Sequence, residues 1–273
     1  MRASRRTTLS LRTLALVYLA LLLLLPLGVV FYRTFEHGAS EAWSWMSTPA
    51  AQSALWLSLI IAVIAVPLNT IFGVGTALVI ARGKSRRAGR VLDALIDLPF
   101  VVSPVIVGLA LILVYGQGGW FGNAFLNNGI RIIYAVPGMV IATVFVSLPF
   151  VVREVTPVLK EIGDEQEQAA ATLGASAWQT FWRVTLPSIR WGVAYGVVLS
   201  TARALGEIGA VLVVSSNVAG QTLSLPLLVY QRGENPGSNS LIGVYSAATE
   251  LAVISVVVLL IMTVFGSRRE RTV

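Results

Sequence analysis

Residues 164–187 read DEQEQAAATLGASAWQTFWRVTLP, the centre of a polar stretch, 153–190, that interrupts an otherwise apolar chain. The pattern is that of two short helices joined by a glycine. Asp164 stands where a helix cap belongs with Glu167 three residues on, and Ser176 stands in the same relation to Gln179; each pair fits a capping box. Gly174 between them suits the left-handed residue that ends a helix. The alanines at 169, 170 and 171 give the first helix a face slim enough to enter a groove. A surface hairpin that meets no partner is the competing reading.

Around this hairpin the chain is far too apolar for a soluble domain. Of 273 residues 56% are hydrophobic and 12% charged, with a mean hydropathy of +0.79, which marks an integral membrane protein. An α-helix needs about 20 apolar residues to cross about 30 Å of hydrocarbon. Six stretches qualify: 14–32, 55–81, 91–115, 133–152, 191–214 and 241–265. Pro67, Pro99 and Pro104 fall inside them and are expected to kink them.

Basic residues give the orientation. Arg2, Arg5, Arg6 and Arg12 precede the first stretch, and Arg82, Lys84, Arg86, Arg87 and Arg90 follow the second. Arg153, Lys160, Arg183 and Arg190 flank or occupy the hairpin region, and Arg268, Arg269 and Arg271 come near the end. The opposite side holds Arg33, Arg131 and Arg232. The positive-inside rule then puts both termini and the hairpin in the cytoplasm. Segments 35–53, 116–131 and 217–239 are expected as outer loops, the first with Trp43 and Trp45 at the interface. Arginines before a leucine run imitate a secretory leader, but no clear small-residue cleavage site appears and five apolar stretches follow, so the first helix is expected to stay uncleaved. The net charge of +7 needs no nucleic acid to explain it.

Several chemistries are excluded. Without cysteine there is no disulfide, thiol nucleophile or thiolate metal site. His37 is the single histidine and lies in an outer loop, so no histidine metal cluster is available. Gly83-Lys84-Ser85 ends like a phosphate-cradling loop, yet Leu78 stands where the first glycine belongs and no strand precedes it. The chain therefore has no ATPase of its own, and no nucleophile–base pair is apparent.

The hairpin resembles the EAA signature of the inner-membrane permease subunits of bacterial ATP-binding-cassette (ABC) importers: Glu-Ala-Ala, three residues, Gly, nine residues, then an aliphatic residue shortly before a hydrophobic residue or Pro. Ala169, Ala170, Gly174, Val184 and Pro187 fall in register, while Gln168 stands where the family usually has Glu. Residues 98–108, LPFVVSPVIVG, are similar to the proline-rich third-helix segment of sulfate and molybdate permeases, and 206–210, GEIGA, to their fifth-helix motif. Residues 149–155, 166–174 and 178–183 look like the CysW-type sulfate/thiosulfate branch.

The resemblance covers roughly residues 55–265 and implies an all-α type I importer permease with six spans. Residues 1–54 are then a cytoplasmic arm, first helix and outer loop; 55–265 are the permease domain with a coupling loop at 153–190; 266–273 are a cytoplasmic tail. It makes Glu165, Gln166, Glu167, Gln168, Ala169, Ala170, Leu173, Gly174 and Pro187 the expected docking residues for a separate ATPase. The implied partners are a second permease subunit of the CysT type, two copies of a CysA-type ATPase that hold ATP and Mg, a periplasmic or surface sulfate-binding protein, and lipid. No cofactor is expected on this chain. Sulfate or thiosulfate is the implied cargo, with molybdate or tungstate as runner-up. A channel or secondary transporter working without ATP is a rival of another class, but neither inverted symmetry nor a filter-like loop is visible. A non-transporting membrane scaffold is a second rival.

Ionisable groups inside hydrocarbon are functional candidates by default: Asp97, Arg203, Glu207 and Glu250. Arg203 and Glu207 share one helix face. Helical rise puts them about 18 and 24 Å from the cytoplasmic end and Glu250 about 22 Å from it. All three are expected to meet in a network that holds helices in register; direct contact of Arg203 with a passing oxyanion is the competing role. Asp97 lies about 9 Å from the cytoplasmic end of the third stretch. Asp97, Pro99, Ser103 and Pro104 are expected either to line a gate or to form a packed kink capped by Asp97. Gly73 and Gly75 read as close-packing positions.

Overall fold

The computed structural model describes residues 5–83, 85–234 and 240–268; Arg2, Lys84 and the tail from residue 269 lie outside the described residues. Every regular element among them is helical: α1 Arg5–Phe35, α2 Ala39–Met46, α3 Pro49–Arg82, α4 Arg86–Val101, α5 Pro104–Tyr115, α6 Gly122–Asn127, α7 Val136–Ile162, α8 Glu165–Thr172, α9 Ala177–Thr180, a π turn Phe181–Thr185, α10 Leu186–Leu205, α11 Gly209–Val214, α12 Leu225–Glu234 and α13 Ser240–Arg268. Among them four segments are long and apolar enough to cross a membrane: Arg12–Phe35, Pro49–Arg82, Val136–Ile162 and Leu241–Met262. Together α4 and α5 make a fifth if their broken pair is one crossing.

Two expected spans come out differently. The third is two helices meeting at 110°, not one kinked rod. Val102 (ψ 131°) and Ser103 (ψ 135°) are extended at the break, because Pro104 disfavours helical backbone in its predecessor and has no amide to donate. Pro99 lies within α4 and Pro67 within an uninterrupted α3, so the expected breaks concentrate at one proline. The fifth stretch begins earlier, as α10, stops at Leu205 and resumes as α11. Glu207 sits in the gap and accepts the Ala210 amide at 2.9 Å, capping α11 with its carboxylate.

The expected outer loops are also more ordered than their Gly, Asn and Ser content suggests. Segment 217–239 contains α12, whose Leu225, Leu227 and Leu228 are buried. Segments 35–53 and 116–131 contain α2 and α6.

The centre of the bundle is α3, α7 and α10. A Cβ on Gly73 of α3 would stand 2.7 Å from Val151 Cβ, and one on Gly196 of α10 2.9 Å from Val151 Cα. Both helices therefore close on the same point of α7, which only a bare backbone permits. A Cβ on Gly75 would meet nothing within 4 Å among the described residues. Asn69, fully buried, donates to Ser147 at 2.7 Å and to Ser200 at 3.2 Å, linking the three helices by side chains as well. Helix α1 shows its leucines outward and meets α13 through Thr34 and Thr249, whose hydroxyls are 2.7 Å apart.

Candidate functional site

The hairpin is built as a helix, a left-handed turn and a second helix. Gly174 has φ 83°. Its amide donates to Ala171 O at 3.0 Å, and the Ala175 amide to Ala170 O at 3.0 Å, the paired bonds of a Schellman motif. Ser176 and Gln179 form the full capping box: the Gln179 amide donates to Ser176 Oγ at 3.3 Å and the Ser176 amide to Gln179 Oε1 at 2.9 Å.

Two expectations are corrected here. Asp164 occupies the cap position of α8 but its side chain takes no capping bond. Its φ of −116° and ψ of 6° are not the extended backbone that aims a cap at the next amides. Glu167, its supposed box partner, is engaged elsewhere. The second helix is also not short: α9 runs through the π turn into α10 without a break. Pro187 explains the π turn, since its missing amide and bulky ring crowd the preceding turn; the Leu186 amide reaches back to Phe181 O and widens it.

Helix α8 has no buried residue. Glu165, Gln166, Gln168 and Ala169 are exposed, Ala170 is half-buried, and Leu173 at the turn is 88% exposed. Glu167 points the other way. Its Oε2 accepts from Arg82 Nε at 3.1 Å and its Oε1 from Thr185 Oγ1 at 2.9 Å. Arg82 also donates to Leu159 O at 2.9 Å and to Gly163 O, two carbonyls at the end of α7. Beyond the turn, exposed Trp178 and Trp182 pack edge to face at 5.4 Å.

Asp97 is paired across to α7. Arg153 Nε donates to Asp97 Oδ1 at 2.9 Å, and Arg153 Nη1 lies 3.1 Å from Asp93 Oδ1. Asp97 thus caps neither α4 nor α5. Ser103 is exposed at the elbow, and Pro104 packs on Gly209, where a Cβ would come within 2.9 Å of its own Cβ. One turn on, a Cβ at Gly108 would meet Ala210 O at 2.9 Å. The two segments noted in sequence, 98–108 and 206–210, therefore sit against each other.

Arg203 and Glu207 form an ion pair at 2.7 Å, with Glu207 almost fully buried. Glu250 does not join them: among the described residues no ion pair links it to either. Arg232 of α12 packs on α13, the helix that carries Glu250. Arg232 donates to Gly243 O at 2.9 Å and Thr48 Oγ1 at 3.2 Å and lies over Trp45 at 5.3 Å. Because α12 is a packed helix and not a loop, it brings a charge that rise along α10 and α13 alone could not anticipate.

The family model described as "Binding-protein-dependent transport system inner membrane component" matches residues 73–271. The chain belongs to this permease family. It is 51% identical over 256 residues, 93% of this chain and 91% of the other, to the sulfate transport system permease protein CysW of Synechocystis sp.. The CysW protein of Escherichia coli K12 is 41% identical, covering 92% and 85%, and the CysT permease of Synechocystis is 36% identical, covering 90% and 84%. The fold is similar to that of a bacterial ABC transporter that imports alginate, with a TM-score of 0.78 over 97% of this chain and 96% of that one, at 18% identity. The chain is thus a multi-pass inner-membrane transport component.

In this permease the contacts missed in sequence are Arg82, Thr185, Arg153 with Asp93, and Arg232. Arg82 and Arg153 counted only as positive charges near membrane ends. The i, i+4 spacing of Asp93 and Asp97 was the one available signal that a cation approaches that face of α4.

Proposed function

We propose that this chain is the path-forming subunit of an ATP-driven importer of sulfate, with thiosulfate as a second cargo. The high identity to sulfate permeases along nine-tenths of the chain carries this reading. A second permease subunit of the CysT type completes the path, two CysA-type ATPases hold ATP and Mg, and a sulfate-binding protein delivers the anion from outside. The chain crosses the membrane six times, with α4–α5 and α10–α11 as broken crossings. Both termini and the hairpin face the cytoplasm.

ATP binding draws the ATPases together and the exposed edge of the hairpin moves with them. The bundle then changes which side it opens to, and ATP and the binding protein must each favour one of the two states for this to happen. Asp97, Pro99, Ser103 and Pro104 form the gate region at the elbow. The Arg203–Glu207 pair holds α10 to α11 and does not touch the anion, which a nearby carboxylate repels.

Uptake of labelled sulfate in cells lacking the chain tests the proposal, with thiosulfate and molybdate as competitors. Uptake should return with the chain and vanish when ATP is exhausted. Uptake that persists without ATP overturns the importer reading, and transport of molybdate alone overturns the cargo.

A further inference from the structure

Helix α8 has no buried residue, so apolar packing does not bind it to the bundle. Its principal anchor is one carboxylate. Glu167 bonds with one oxygen to Arg82, the last residue of α3, and with the other to Thr185 on the turn leading into α10. Gln166 adds only a 3.5 Å contact to Ser188. The same guanidinium takes carbonyls of Leu159 and Gly163, which helix geometry leaves without amide partners at the end of α7. Four chain segments thus converge on two side chains, and three of them lead into the helices that form the centre of the bundle. Both groups are about four-fifths buried, with side chains 21% and 23% exposed, so the bonds are shielded more than a surface pair.

We propose that Arg82 and Glu167 are positioning residues that transmit the hairpin's movement to α3, α7 and α10. Consecutive helical residues point about 100° apart, so Gln168 turns outward toward a partner while Glu167 turns inward. Glu167 faces the bundle and not the ATPase, while Glu165 stays exposed. This rests on the importer reading, and it takes Glu167 out of the docking surface on which the sequence placed it.

The test uses the complete importer in proteoliposomes and reads two quantities: ATPase retained on purification, and sulfate moved per ATP hydrolysed. Glu167→Gln keeps the side-chain shape and removes its charge. It should retain the ATPase, while sulfate per ATP falls about tenfold, the scale of one charge-assisted hydrogen bond. Arg82→Gln should do the same, and the exchange Arg82→Glu with Glu167→Arg should recover part of the ratio, a coupling the single variants cannot show. An unchanged ratio in Glu167→Gln refutes the transmission. Loss of ATPase in that variant refutes the inward assignment. Should Arg82→Gln not accumulate because α7 loses its end cap, Glu167→Gln and Thr185→Val decide alone, since both leave Arg82 on α7. A wild-type complex without ATP-dependent uptake would instead sink the importer reading and leave the contacts at Glu167 standing.

Discussion

Replacing Gly174 tests backbone strain without a clash inside the chain, because a Cβ there would meet nothing within 4 Å. The residue sits at φ 83°, a region that costs an L-residue about 1–2 kcal/mol and a β-branched one more. Valine therefore either distorts the turn or carries that strain. If the free hairpin relaxes to a right-handed turn, the Schellman bonds from Gly174 to Ala171 and Ala175 to Ala170 are lost, and α9 leaves α8 at a different angle. Docking must then restore the turn, so the ATPase should bind Gly174→Val about 5- to 30-fold more weakly, the equilibrium factor for 1–2 kcal/mol. Asparagine tolerates the left-handed region and should lose much less. The measurement is a titration of purified ATPase onto the permease in nanodiscs, comparing Gly, Asn, Ala and Val. Equal affinity for all four would show that the turn plays no part in docking. Asparagine as poor as valine would show that side-chain bulk at the partner's surface matters and backbone strain does not.

Further substitutions test the bundle. Gly196→Ala sets a methyl 2.9 Å from the Val151 backbone and should destabilise the purified protein by about 1–3 kcal/mol in thermal unfolding, while Gly75→Ala, inside α3 and facing open space, should stabilise it by about 0.4–1 kcal/mol. Arg203→Gln leaves the buried Glu207 charge unpaired and should cost about 3–5 kcal/mol, most of it recovered by adding Glu207→Gln; full stability with lost sulfate uptake would point to contact between Arg203 and the anion. Arg153→Gln frees Asp93 and Asp97 on a partly exposed pair, worth at most about 1 kcal/mol, so hydrogen exchange should quicken in α4 and stay unchanged in α3.

The hairpin was legible because its signals are local. A glycine at the turn and Ser176 three residues before Gln179 state their own geometry. Long apolar runs likewise announce α3, α7 and α13. What the sequence concealed depends on distant partners. The inward turn of Glu167 requires Arg82, 85 positions away, and the anchoring of Arg232 on Gly243 and Thr48 requires α12 to pack where Gly, Pro and Ser suggested a loop. Prolines were legible in kind and not in effect: Pro26, Pro67, Pro99, Pro104, Pro137 and Pro149 lie inside predicted spans, and only Pro104 separates two helices, because there the residues before it turn extended.

That break divides a helix pair held by two different forces. On one side α5 is locked to α11 by backbone contact, at Gly108 against Ala210 and Pro104 against Gly209, so sliding it means moving main chain through main chain. On the other side α4 meets α7 through Arg153 and two half-exposed carboxylates, bonds that water can replace at a small cost, and through the side chains of Ile96, in the core, and Phe100, edge to face on Phe150 at 5.4 Å. If the hairpin moves as proposed, strain reaching the α4–α5 elbow should be relieved first in α4. A gate at this elbow, as proposed, would need one arm fixed and one arm free to swing, and glycine-tight main-chain packing on one side against side-chain contacts on the other would offer that asymmetry.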